Sequence, residues 1–253
     1  MYPHSVLWHY LWIAPLIFQV LTVFILIKSN RFREFPAFSL YTLFELVLGS
    51  TLFVLDHSPA VSPYRYWYIH SVGQVVSIAL RFAVIYEIFS NVFRIYPGVW
   101  QLSRLLFRGT AVVLILLGVA VSAYSPGEDT YRLFAGIHLL NRAVSLLQSG
   151  LLIFLFLFSS YFGLSWKNLA FGIAIGLGVF SSINLAIEAI RIWVGPGVRN
   201  YIFDFVTMGS YHFCVLIWLL YLVAEEPARQ TVETLPKGNL EHWNAELQRL
   251  LLQ

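Results

Sequence analysis

YWYIHSVGQVVSIALRFAVIYEIFSNVFR, from Tyr66 to Arg94, is long enough to cross a bilayer and carries groups that hydrocarbon does not tolerate. His70, Gln74, Ser77 and Arg81 follow one another at steps of four, three and four. On a helix that spacing puts all four on one face. Most of the remaining stretch is apolar or aromatic until Glu87 and Asn91 near its far end. An arginine near the middle of a span costs roughly 2.5–3.5 kcal/mol on insertion scales. The face must therefore turn inward, against helices that carry answering polar groups. That requirement predicts a bundle rather than a single anchor.

Composition agrees. Of 253 residues, 58% are hydrophobic and only 11% are charged, against about 25% charged in an ordinary soluble domain. Mean hydropathy is +0.72. The 17% aromatic content suits a membrane protein, because Trp and Tyr gather at headgroup level. A net charge of +3 does not point to nucleic acid, since much of the Lys and Arg lies in short loops. The single cysteine, Cys214, excludes an internal disulfide and a multi-cysteine metal site. MYPHSVLWHYLW at the start has no basic segment and no small-residue cleavage site, so it reads as the start of a span, not as a removable signal. The absence of sorting signals and of any N-x-S/T acceptor leans toward a bacterial inner membrane.

The apolar pattern predicts an all-α, polytopic transmembrane helical bundle of seven spans, over about 6–28, 36–56, 66–93, 109–125, 132–162, 167–194 and 201–223. Together they make a membrane domain of 1–226. The stretch around Trp100–Arg108 is expected to lie in the interface. With seven spans, one side receives Lys28, Arg31, Arg33, Arg94, Arg104, Arg108, Lys167, Arg229, Lys237 and Arg249. The other receives Arg65, Arg132, Arg191 and Arg199. The excess of positive charge puts the C-terminus in the cytoplasm and the N-terminus outside. In the tail, 227–253, Leu240, Trp243, Leu247, Leu250 and Leu251 share one helical face and Asn239 suits the cap. An amphipathic helix on the inner leaflet is expected there. The alternative is docking of a protein partner, or of a second copy, through 239–253.

Polar stripes recur on other spans. Thr42, Glu45, Gly49 and Asp56 share a face, as do His138, Arg142, Ser145 and Ser149. Ser181, Asn184, Glu188 and Arg191 form a third, and Asp204, Thr207 and Tyr211 a fourth, with His212 nearby. The fourth span has none, and is expected at the edge, facing lipid. Lipid offers these groups no partner, so they should converge. Glu45 with Arg81, and Arg142 with Glu188, are candidate structural ion pairs. In a second reading the arginines face a cavity and hold a small anionic ligand such as a carboxylate or a phosphate, to which the planar guanidinium is suited. The candidate ligand residues are His70, Gln74, Arg81, His138, Arg142, Asn184 and Glu188. Gly172, Gly176 and Gly178 predict close helix packing.

Three functions are compatible with this pattern. The first is a non-enzymatic sensor, receptor-like or partner-binding bundle with a polar pocket in its outer half. The second is a transporter or channel for a small solute or ion, although no broken helix or inverted repeat supports it. The third is an intramembrane haem or metal protein using His70, His138 and His212; no cofactor is predicted in the first reading. No nucleophile or acid–base constellation points to an enzyme. A retinal Schiff base would need a lysine in the last span, and the lysines are Lys28, Lys167 and Lys237.

Overall fold

The structure, a computed structural model, describes residues 5–59, 61–93, 97–124, 129–158, 168–194, 200–224 and 249. The side chains of some helical positions, His138 and Arg191 among them, lie outside that description. The described residues form seven helices and no strand: α1 Val6–Lys28, α2 Pro36–Asp56, α3 Pro63–Phe93, α4 Pro97–Tyr124, α5 Asp129–Phe158, α6 Leu169–Val194 and α7 Asn200–Val223. Five of them, α1, α2, α3, α6 and α7, are long and apolar enough to cross a membrane. In α4 and α5 the apolar stretches among the described residues are shorter, Phe107–Val121 and Leu139–Phe154. The chain is thus a helical bundle of the multi-pass membrane kind.

Local chemistry sets the helix starts. Ser5 caps α1, its hydroxyl accepting from the Trp8 N–H at 3.2 Å. Asn168 caps α6, its amide oxygen accepting from the Ala170 N–H at 2.9 Å. Three helices, α2, α3 and α4, begin on a proline. At the first helical position the missing N–H costs nothing, and the fixed φ is already helical. This corrects two expected boundaries: α3 starts at Pro63 rather than 66, and α4 at Pro97 rather than 109. The stretch Trp100–Arg108, expected in the interface, is continuous with α4. The expected span ends at 159–162 and 167 lie outside the described residues, as does the tail helix over 239–253 except for Arg249, which is helical.

Glu87 is not an interruption of α3 but the cap of α2. Its two carboxylate oxygens accept from the Ala37 and Phe38 N–H groups at 2.8 and 2.9 Å. Pro36 has no N–H, and the Phe35 and Ser39 N–H groups bond to the Arg31 and Phe35 carbonyls. One carboxylate therefore completes the start of α2, where a helix otherwise leaves donors unsatisfied.

The helices close on themselves. α1 packs on α2 and α7, α7 on α6, α6 on α5, and α2 on α3. α3 also reaches α4, α5 and α6, which puts it at the centre. α4 packs on α5 and α3, at the edge, with Val112, Val113, Ile115, Leu116 and Val119 exposed as on a lipid-facing surface. In the half of the bundle away from the N-terminus the buried packing is largely apolar. Trp218 is fully buried, with Phe38 and Tyr41 edge-on to it at 5.1 and 6.1 Å. Leu26, Phe171, Ile173 and Leu177 complete that core. The small-residue run of α6 works as expected: Gly172 meets Tyr221, Gly176 meets Trp218 and Gly178 meets Leu152, each so close that a Cβ would collide.

Candidate functional site

The N-terminal half of the bundle holds a cavity of about 560 Å³. It is lined from α1, α2, α3, α5, α6 and α7, and not from α4. One wall is the stripe seen in the sequence: Tyr66, His70, Gln74, Ser77 and Arg81, a single face of α3. α2 supplies Tyr41, Glu45, Gly49 and Leu52. α6 supplies Phe180, Asn184 and Glu188, and α7 supplies Asp204, Thr207, Met208 and Tyr211. α1 adds Trp8, Trp12, Pro15 and Gln19. Pro15 has no N–H to give the Leu11 carbonyl, and both residues line the cavity.

Arg81 is the deepest charge, only 5% exposed. It does not pair with Glu45, as the sequence led one to expect. Its Nη2 donates to Asn141 Oδ1 on α5, while Glu45 accepts from the Ser77 hydroxyl. The two charges remain within electrostatic reach of one another. Arg81 Nε is buried with no hydrogen-bond partner. Asn141 also donates through Nδ2 to Glu188 Oε1 at 3.5 Å, so it joins the two charged residues. Deeper still, the Gln19 amide donates to the Tyr211 hydroxyl. Gln74 and Asn184 line the cavity and make no protein hydrogen bond through their amides among the described residues.

The structure thus brings His70, Gln74, Arg81, Asn184 and Glu188 to one cavity, and leaves Arg142 outside it. Arg142 Nε lies 4.0 Å from Glu188 Oε2, and the arginine side chain is 47% exposed. The inward face of α5 runs through Ile137, Asn141, Val144, Gln148 and Leu151, not through Arg142. Neutral amides are cheaper to bury than a guanidinium, whose long stem lets its head leave the interior. The His138 side chain lies outside the described residues.

His70 and His212, two of the histidines weighed for a metal, are not brought to one site. His70 stacks on Tyr66, ring centroids 6.3 Å apart and 15° off parallel. His212 is off the cavity lining, between Tyr10 and Phe18 at 5.8 and 5.5 Å. Among the described residues no three His, Cys, Asp or Glu side chains converge. Asn141, Gln19, Tyr41, Trp8 and Trp12 were not singled out by the sequence. Asn141 had a usable signal, because it shares a helical face with Gln148.

Comparison with protein-family models, with curated proteins and with solved structures gave no match.

Proposed function

We propose that this protein is a non-enzymatic, sensor- or receptor-like membrane bundle whose cavity takes a small polar ligand with an anionic group. The observation that carries this reading is Arg81: a buried guanidinium on a cavity wall, with one N–H that the protein leaves unpartnered. A buried polar group without a partner costs on the order of 1–3 kcal/mol, more when charged. A carboxylate in the cavity would meet that guanidinium, whose planar geometry favours it. The cavity volume falls in the usual range for small-molecule pockets, about 300–1,000 Å³. Aromatic side chains Trp8, Trp12, Tyr66 and Phe180 would cover the ligand's apolar part.

A solute pathway would need polar groups along the whole bundle, and the opposite half meets through Trp218, Phe38 and Phe171 instead. A cavity closed at that end suits binding better than conduction. In this reading all seven helices span the bilayer, the positive-charge bias puts the cavity on the outer side of a bacterial inner membrane, and 239–253 meets a cytoplasmic partner. The test is thermal unfolding of the purified protein with a panel of small carboxylates, each compared with its neutral amide. At least one carboxylate should raise the unfolding temperature of the wild type and of Arg142→Ala, but not of Arg81→Met. No response from the wild type, or an equal one from Arg81→Met, would defeat the proposal.

A further inference from the structure

His9 and His57 meet at the N-terminal end of the bundle, Nε2 to Nε2 at 3.1 Å. His9 Nδ1 lies 2.9 Å from the Ser5 carbonyl oxygen, and His57 Nδ1 lies 2.9 Å from that of Phe53. A carbonyl only accepts, so both Nδ1 atoms carry the proton. In the neutral rings both Nε2 atoms then present lone pairs, and the two lone pairs point at each other. Such a contact asks for a cation between the nitrogens.

We propose that His9 and His57 bind a divalent transition-metal ion of the zinc or copper class. An imidazole that ligates through Nε2 ordinarily gives its other N–H to a carbonyl or carboxylate, which fixes tautomer and ring orientation. Both rings already do so. Zinc–nitrogen bonds of about 2.0–2.1 Å at a tetrahedral angle separate two ligand nitrogens by about 3.3 Å, close to the spacing seen here. Imidazole is a favoured ligand for this class of ion. Asp56 lies beside the pair, its Oδ2 3.8 Å from His57 Nδ1, and adds negative charge. The His57 side chain is 35% exposed, so an ion can reach it.

The site ties the start of α1 to the end of α2 beside Trp8, whose ring is 5.4 Å from that of His9 and which lines the cavity. A bound ion would hold that rim of the cavity. It does not depend on what the cavity takes. The test is thermal unfolding of the full chain in detergent with zinc chloride. The expected result is a saturable rise that EDTA reverses, that His9→Gln or His57→Gln abolishes, and that His70→Gln retains. Copper(II) bound to the wild type should show hyperfine coupling to two imidazole nitrogens in its electron paramagnetic resonance spectrum, a readout independent of how the variants fold. A wild type indifferent to zinc would overturn the metal. A zinc response that survives both substitutions would overturn it as well.

Discussion

Replacing Glu87 by alanine removes the cap of α2 from a different helix, and the cost can be worked from the contacts. Two N–H groups, of Ala37 and Phe38, lose a carboxylate 2.8 and 2.9 Å away. No other donor at that end shares the loss, because Pro36 has none and Phe35 and Ser39 are bonded within the backbone. Phe38 is fully buried, so water cannot easily replace the lost oxygen. An ordinary cap is worth about 1 kcal/mol, and a hydrogen bond to a charged group about 1.5–3. Two such bonds, partly offset by relief of the carboxylate's own burial, give an expected loss of about 2–4 kcal/mol. Glu87→Gln keeps one acceptor oxygen and should lose about half of that. The assay is reversible unfolding in mixed micelles, titrated with a denaturing detergent and followed by tryptophan fluorescence. Glu87→Ala within 0.5 kcal/mol of wild type, or no less stable than Glu87→Gln, would refute the reasoning.

Other outcomes follow from the same contacts. Gly176→Val should destabilise by more than about 2 kcal/mol in that assay, because its Cβ would strike the Trp218 ring, whereas Gly150→Ala, in open space, should be close to neutral. Double-mutant cycles should give Arg81 a larger coupling with Asn141 than with Glu45, since only the first pair is hydrogen-bonded. Cys214 is 1% exposed, so a maleimide should leave it unmodified in the folded protein and label it once unfolded.

Much of the bundle was legible in the sequence because the bilayer leaves so few solutions. Apolar runs named all seven helices, and the ends of α1 and α2 fall where the pattern placed them. Helix starts at Pro63 and Pro97 were hidden, because a proline reads as a breaker until its position at the first turn is known. The α3 stripe was legible for the same reason that it is buried: polar residues at helical spacing in an apolar run have nowhere else to go. Partners were not. Arg81 and Glu45 looked like a pair because charge dominates a linear reading, yet Asn141 and Ser77, short and neutral, hold them instead. Rotation of α5 by about one residue, about 100° on a helix, separates Asn141 inside from Arg142 outside, a difference that periodicity blurs. The meeting of His9 and His57, 48 positions apart, depends on which helices neighbour one another and could only come from the fold.

Whether Arg81 is there to hold a ligand is tested most directly by native mass spectrometry of the protein released gently from lipid nanodiscs, wild type beside Arg81→Met. A small anionic adduct on the wild type, retained from its membrane or supplied from the carboxylate panel, and lost from Arg81→Met while the fold persists, is the expected result. A wild type that stays bare under both conditions, or an adduct that Arg81→Met keeps, would contradict it and leave the guanidinium as a purely structural partner of Asn141.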